Sequence, residues 1–503
     1  MNTDHLVIGA GIAGLSHALY LADLDPQARI LLVSKVSINE SNTQYAQGGI
    51  AAVMSPEDNL ASHVADTLRA GDYATTEEVV RGILKCGPEI VEDLTRWGVR
   101  FDRNDQGQYH LVREGGHSHP RILHYKDYTG KHLQETLAQE AMRHPQIELM
   151  DHWMLVDLWL DEEKTTCLGG DFLALSTQEF IRVSAQTTAL CTGGVGALFP
   201  KSSNPKIATG DGIAIARKKG VRTELLSYVQ FHPTVYSAPD LPPFLISEAL
   251  RGHGALLRDI NGHRFMPEID DRAELAPRDV VSRGILAQMN RTEASHVWLD
   301  ATGFDPSDWD TYFPSIYAQC LRYGIDPSQA WIPVAPMAHY LCGGIDVDVY
   351  GRTSLDRLYA LGECSHTGLH GANRLASNSL TEAVAVAKQA AQHALTLPKN
   401  TAEEAPAPQR KLLQADLSGW KAHVLTLQQE LMEVGGVVKS QPGLEALEKK
   451  LTQAIAEFNS AYPEGYTNES HASLSNILSL IHAMVLESIA ETRNQGVFYK
   501  SAL

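Results

Sequence analysis

"HLVIGAGIAGLSHALYLADL", residues 5–24, joins a short apolar run to a glycine turn and then to an apolar stretch of helix length. Gly9, Gly11 and Gly14 give the spacing G-x-G-x-x-G. The first glycine permits a tight turn, the second lets a pyrophosphate approach the backbone, and the third lets helix and strand pack closely. The phosphates then sit at a helix N-terminus, where free amides and the helix dipole favour negative charge. A lone spacing of this kind also occurs as a plain structural turn. Its place between a strand and a helix, early in the chain, favours the dinucleotide reading. "ARILLVSK", residues 28–35, supplies a second strand and completes a β-α-β opening. No acid stands at its end to hold a ribose; Ser34 and Lys35 are there instead, which argues against a plain NAD site.

Further along, "WMLVDLWLDEEKTTCLGGDFLAL" (153–175) and "FIRVSAQTTALCTGG" (180–194) read as an antiparallel β excursion and a return strand ending at Cys191. "GDGIAIARKKG" (210–220) reads as a short helix closed by Gly220. From about Phe231 to His339 the pattern is irregular and rich in proline, as in an inserted domain. "LDRLYALGEC" (355–364) restores a strand, and "SLTEAVAVAKQAAQHAL" (379–395) follows as a helix with Ser379 and Glu382 at capping-box spacing. "LPKNTAEEAPAPQR" (397–410) reads as a linker. Beyond it, Leu444, Leu447, Leu451, Ile455 and Phe458 share one helical face and "LSNILSLIHAMVLESIAETR" (474–493) is also helical, so a small helical bundle without evident chemistry is expected.

The chain has 503 residues, enough for about three domains. Its net charge of −18 argues against a nucleic-acid partner, which needs a basic face. No apolar run reaches the roughly 18 residues of a membrane span, and the N-terminus shows no basic-then-apolar leader, so a cytoplasmic protein without a membrane partner is expected. Six cysteines without a CxxC pair imply neither a zinc site nor a disulfide framework.

Several loops of small residues invite a flat, extended ligand. "NTQYAQGGIAA" (42–52) supplies Asn42, Thr43, Gln47, Gly48 and Gly49. "CTGGVG" (191–196) supplies Gly193 and Gly194, "TGDGIAIA" (209–216) puts Asp211 at a helix start, and "YALGEC" (359–364) ends a strand with Glu363. Ala13, Asn378 and Ser379 complete the candidate cofactor contacts. A helix starting near Ser379 carries about half a positive charge at its end and would stabilise negative charge on a reduced flavin, although a merely well-capped helix has the same sequence.

The polar residues share a habit: a charged or imidazole group flanked by Gly, Pro or Ala. "REGGHSHPR" (113–121) holds Glu114, His117 and His119; with no third ligand at suitable spacing, no metal is expected. "QFHPT" (230–234) holds His232, "FLISEALRG" (244–252) holds Ser247, Glu248 and Arg251, "ELAPRDVVSR" (274–283) holds Arg278, and "APMAHYLCGG" (335–344) holds His339. "LHGANRLASNSLTEA" (369–383) places Arg374 among small residues, with no acid nearer than Glu382. Alone, each is usually structural. Together His232, His339 and Arg374, with Arg278 near, suit a substrate bearing two carboxylates, each charged hydrogen bond being worth roughly 1.5–3 kcal/mol.

These motifs, with "YAQGGIAAV", "EALRGHGA" and "GLHGANRLASNSL", resemble the L-aspartate oxidase family within the succinate dehydrogenase/fumarate reductase flavoprotein superfamily, from about His5 to Leu395 and more loosely beyond. The resemblance implies an α/β fold: a Rossmann-like FAD-binding domain (1–232 and 341–400), an inserted α+β capping domain (233–340) and a C-terminal helical bundle (411–503). It implies FAD-dependent oxidation of L-aspartate to iminoaspartate, with oxygen or fumarate as acceptor and a product passed to quinolinate synthase in NAD biosynthesis. Arg278 resembles the arginine that exchanges a proton with the substrate carbon. His232, His339 and Arg374 resemble the carboxylate-binding groups, Ser247 a hydroxyl contact, and Glu114 the acid facing the amino group. Asp211, Glu363, Ser379 and Leu380 resemble FAD contacts. Membrane-bound relatives attach FAD through a histidine where this chain has Asn42, so FAD is expected to be non-covalent. The alternatives are a soluble fumarate reductase or succinate dehydrogenase subunit, and a flavin-binding subunit without turnover that docks to iron–sulfur and membrane partners.

Overall fold

A computed structural model describes residues 1–398, 410–462 and 465–501. The opening β-α-β unit is strand β1 (Asn2–Ile8), helix α1 (Ile12–Leu24) and strand β2 (Ile30–Val33), with β1 and β2 parallel and Ile8 opposite Val33. Strand β3 (Ile147–Met150) extends the sheet beyond β2. The excursion forms as β4 (Trp153–Leu160), β5 (Cys167–Ala174) and β6 (Glu179–Leu190), and β6 returns parallel to β1 with Leu190 opposite Ile8. Its last residue is Leu190, one short of the expected Cys191.

Alternation along these strands decides the layers. Leu6, Ile8, Leu31 and Val33 face one core, while Val7, Ile30 and Leu32 face another. The second core is filled by α1 and a later alanine-rich helix. The first is filled by helix α2 (Asp211–Lys218), closed by Gly220 at φ +83°, and by the C-terminal helices. Strands buried on both faces in this way are those of a parallel α/β sheet.

The proline-rich stretch is more ordered than its sequence implies. Strands β7 (Val229–Tyr236), β8 (Leu256–Arg258), β9 (Val297–Asp300) and β10 (Ile332–Leu341) make a four-stranded antiparallel sheet, in the order β7-β10-β9-β8. The β7–β10 pair straddles residues 232 and 341. Helices α3 (Glu248–His253), α4 (Arg278–Thr292) and α5 (Pro314–Arg322) belong to this part, whose separate core holds Leu257, Phe265, Trp309, Phe313 and Val334. The period-2 signal was hidden because β7 and β10 are buried almost throughout and carry bulges and prolines.

Strand β11 (Leu358–Ala360) rejoins the first sheet beside β6. Helix α6 (Asn378–Ala394) then begins one residue before Ser379, after Ser377 in the left-handed conformation at φ +62°. The expected capping box is therefore absent. Ser379 Oγ accepts from Arg374, and Glu382 pairs with His370 and Thr367. Most of the expected linker, residues 399–409, lies outside the described residues. Helices α7 (Ser418–Gly435), α8 (Gln441–Ala461) and α9 (Glu469–Ala490) follow, with Leu444, Leu447, Leu451 and Phe458 buried and Ile455 packed at the margin. By length and composition alone α9 could cross a membrane, but half of its apolar window is buried in the fold, as in a core helix.

Candidate active site

The glycine turn is built as its spacing demands. Gly9 has φ +114°, and a Cβ there would lie 2.1 Å from the Cys191 carbonyl oxygen. A Cβ on Gly14 would lie 1.9 Å from the Gly9 carbonyl, so this glycine serves packing. Between them Gly11 stays open, and the Ile12 amide donates to Thr43 Oγ1 at 3.1 Å.

One cavity runs from this turn to Arg374. Of the expected cofactor residues it is lined by Gly9, Gly11, Ala13, Ser34, Lys35, Asn42, Thr43, Gln47, Gly48, Gly49, Gly193, Asp211, Glu363, Ser379 and Leu380. Of the expected catalytic and substrate residues it is lined by Glu114, His232, Ser247, Glu248, Arg278, His339 and Arg374. Three candidates do not reach it. Gly14 is buried in the turn. A Cβ on Gly194 would fall 2.1 Å from Glu363 Oε1, so its smallness makes room for that carboxylate. Asn378 is tied to His63 Nε2 at 2.8 Å and to Thr67 Oγ1 at 3.0 Å, a structural role.

At the nucleotide end Lys35 Nζ meets Asp211 at 2.7 Å, and Asn476 Nδ2, from α9, donates to the same carboxylate at 3.0 Å. An acid from α2 thus stands beside the end of β2, and the tail braces it. Further along, Asn42 Nδ2 donates to Glu363 at 2.8 Å, and burial pushes the Glu363 carboxyl up in pKa.

The far end is a cluster of buried charges. Arg374 Nη2 donates to His339 Nε2 at 2.9 Å, Nη1 donates to Ser379 Oγ at 2.8 Å, and the guanidinium lies 4.0 Å from the Tyr340 ring centroid. Burial and the nearby Arg278 charge draw its pKa down to about 10, so it remains cationic at neutral pH. No described carboxylate forms an ion pair with it. An arginine can only donate, so His339 Nε2 is unprotonated and Nδ1–H points to Ser203 Oγ at 2.7 Å. Burial and Arg374 hold His339 well below the usual histidine pKa, so it is neutral. His232 is neutral as well, lowered by burial and Arg278; its Nδ1 accepts the Thr234 amide at 3.3 Å, which leaves the proton on Nε2.

Arg278 opens helix α4. Its Nε donates to Glu248 Oε2 at 2.7 Å and its Nη1 to Gln230 Oε1 at 2.9 Å. Arg251 closes on the other Glu248 oxygen at 3.4 Å. Burial alone would raise the Glu248 carboxyl, but the two guanidiniums outweigh it and keep it low. Glu114 differs. Burial, reinforced by the Glu248 charge, raises its pKa, and its hydrogen-bond donor is the Ser377 hydroxyl, at 2.5 Å.

Sequence reasoning missed Tyr340 and Ser377. An aromatic residue in an apolar strand reads as core, and nothing in the pattern marks a serine that takes the left-handed conformation.

The residues fit an extended flavin dinucleotide. At Gly11 the turn leaves open space for a phosphate, the atom nearest to a Cβ there being Thr43 Oγ1 at 3.5 Å. Buried polar atoms of four lining residues, Gln47 Oε1, Thr192 Oγ1, Asn204 Oδ1 and Arg374 Nε, have no hydrogen-bond partner within the protein.

A family model described as "FAD binding domain" matches residues 4–380. The L-aspartate oxidase of Vibrio cholerae is 39% identical over 99% of this chain and 95% of its own length. L-aspartate oxidase 2-a of Nicotiana tabacum, a chloroplastic protein, is 37% identical over 99% of this chain and 81% of its own. Among solved structures, a mutant form of FrdA from the E. coli quinol fumarate reductase superposes with a TM-score of 0.89 at 27% identity, covering 100% of this chain and 91% of that one.

Proposed function

The chain belongs to the L-aspartate oxidase family, and from that membership we propose that it oxidises L-aspartate to iminoaspartate with FAD as cofactor, the first step of NAD biosynthesis through quinolinate. One pairing of observations carries the reading. Arg374 is a buried cation with neutral partners, and Glu114 is a buried carboxylate with a neutral partner, on the walls of one cavity. Isolated buried charges are costly unless something compensates them. A zwitterionic amino acid with two carboxylates compensates both: the Arg374 guanidinium takes a carboxylate, and Glu114 takes the ammonium.

The residues divide the work. Arg374 and the Nε2–H of His232 bind carboxylate oxygens, while Ser203, Ser379 and Tyr340 hold Arg374 and His339 still. Such positioning lowers a barrier by about 7–11 kcal/mol at best. FAD, bound non-covalently along the Gly9–Asp211 end, supplies the acceptor for the hydride that leaves Cα. As the imine forms, the ammonium must lose a proton; Glu114, with a pKa raised by burial, is placed to take it. When fumarate accepts the electrons, Arg278 supplies the proton to carbon, with Glu248 and Arg251 behind it. Asn42 supports the unattached cofactor, since an amide forms no bond to the ring. Six unpaired cysteines support a reducing, cytoplasmic setting, where the product would pass to quinolinate synthase.

The test is anaerobic mixing of the purified yellow protein with L-aspartate and, separately, with succinate. Bleaching by aspartate is expected. An oxidised spectrum that persists with aspartate overturns the oxidase reading, and bleaching by succinate alone assigns the chain to the dehydrogenase branch.

A further inference from the structure

We propose that Ser377 is a specificity-determining residue, whose hydroxyl fixes Glu114 as an ionised acceptor turned toward the substrate ammonium. This rests on the reading above that Glu114 faces an amine. The Gly49 amide donates to Ser377 Oγ at 3.2 Å. The hydroxyl in turn donates to Glu114 Oε2, at 2.5 Å. That oxygen can then only accept, and it cannot carry the proton of a neutral acid. Oε1 is left for the ligand, and the wall beside it is bare. A Cβ on Gly48 would stand 3.0 Å from Oε1 and 3.2 Å from Ser377 Oγ.

The backbone agrees with a dedicated role. Ser377 is the residue before α6 and has φ +62°, a conformation that glycine adopts without strain. A non-glycine residue held there by its surroundings is a common mark of a functional site. Its side chain does not cap α6. It reaches across to the segment that carries Glu114, 263 residues away in sequence.

The charges around Glu114 show what the hydroxyl opposes. Glu248 on α3 repels the ionised form; Arg278 on α4 and Arg374 before α6 favour it; burial disfavours it most, and the Ser377 hydrogen bond works against burial. His117, three residues on, is neutral, its Nε2–H donating to the Ala376 carbonyl at 3.0 Å. Removing the hydroxyl therefore raises the Glu114 pKa, so a higher pH is needed before the acid can hold an ammonium.

The variant is Ser377→Gly, which suits the backbone angle and removes the hydroxymethyl group that bonds Glu114. In the FAD-loaded enzyme, the acid limb of kcat/KM for L-aspartate should move up by about one pH unit, with about a tenfold loss on the acid side of the profile. Fumarate reduction by a reduced viologen, which involves no amine, should change by less than about threefold, and the melting temperature should hold or rise. An unmoved acid limb, or equal losses with aspartate and fumarate, overturns the proposal and leaves Ser377 a structural residue. Glu114→Gln separates the two levels. If it spares aspartate turnover, the assignment of Glu114 itself falls. If it abolishes aspartate turnover while Ser377→Gly leaves the pH profile in place, only the role of Ser377 falls.

Discussion

The guanidinium carbon of Arg374 lies 4.0 Å from the centroid of the Tyr340 ring. This buried cation is thus held by an aromatic face, an imidazole nitrogen and a hydroxyl, none of which carries a negative charge. It is positioned without being neutralised, and an incoming carboxylate meets a full charge whose geometry is already set. The cation–π contact contributes about 1–2 kcal/mol in such a desolvated place.

Arg374→Lys should therefore be far from conservative. Lysine keeps the charge and loses both the fork and the stacking plane. The expected result is a drop in kcat/KM for L-aspartate of roughly a hundredfold, from the loss of one or two charged hydrogen bonds. Tyr340→Leu should cost about tenfold. Flavin content should be unchanged in both, because Gly9, Lys35 and Asp211 sit at the other end of the cavity. Loss of flavin absorbance in Arg374→Lys would show that the two ends are not independent.

Asp127 ties the two sheets' territories together. Its Oδ2 accepts the Ser315 amide at 2.9 Å and the Ile316 amide at 3.0 Å, at the N-terminus of α5, while Oδ1 is buried without a partner. Burial outweighs these bonds and raises the carboxyl pKa. A raised folded pKa means that the proton is held more tightly in the native state. The contribution to stability is then full below the unfolded value and is lost as pH rises through the folded one. Asp127→Asn keeps an acceptor and removes the buried charge, so its melting temperature at pH 7 should equal or exceed that of the parent, with the gain vanishing at about pH 4. Asp127→Ala removes the acceptor and should cost about 1 kcal/mol. Thermal melts across pH check both, and a destabilised Asp127→Asn at neutral pH would contradict the sign.

What the sequence revealed follows from what periodicity can carry. Val7 between Leu6 and Ile8, and Leu32 between Leu31 and Val33, marked strands buried on both faces, and Gly9 marked the turn. The polar loops were legible because small neighbours around His232, His339 and Arg374 leave room for a ligand. The antiparallel sheet from β7 to β10 was not, because bulges at Gln230/Phe231 and His232/Val235 break its alternation. Ser379 passed for a helix cap because Ser377, two residues earlier, turns the chain by a route no local pattern encodes. Asn476 stayed hidden because its partner Asp211 is 265 residues away.

Lys439 is a buried amine in the tail, its Nζ 3.3 Å from the Gly436 carbonyl and 4.9 Å from the Phe498 ring centroid. Burial lowers its pKa to about 8. For a base, a lowered folded pKa means that the charged form weakens the fold, and the penalty fades as pH rises from about 8 toward the ordinary lysine value of 10.5. Lys439→Met should therefore be more stable than the parent at pH 7, by on the order of 1–3 kcal/mol, and the two should converge at about pH 10. Equal melting temperatures throughout would mean that Phe498 and the carbonyl fully offset the burial.

Phe498 connects the chain's end to the substrate cluster. It stacks on Tyr228 at 5.2 Å and shares a small core with Val497, Tyr340, Cys342 and Ala372. The Val497 amide donates to the Ala372 carbonyl at 3.0 Å, two residues before Arg374. Arg283, on the helix that Arg278 opens, donates to the Gly496 carbonyl at 3.0 Å. The segment therefore touches the supports of both arginines without reaching the cavity. Phe498→Ala removes a fully buried ring, which typically costs about 3–5 kcal/mol, and the loss falls on Tyr340 and the loop below Arg374. The expected signature is a KM for L-aspartate raised by about tenfold, with kcat less affected and the flavin spectrum intact. Phe498→Leu, which refills most of the volume, should restore most of the KM. If Phe498→Ala lowers the melting temperature but leaves KM alone, the segment only stabilises the fold and has no part in setting the arginines.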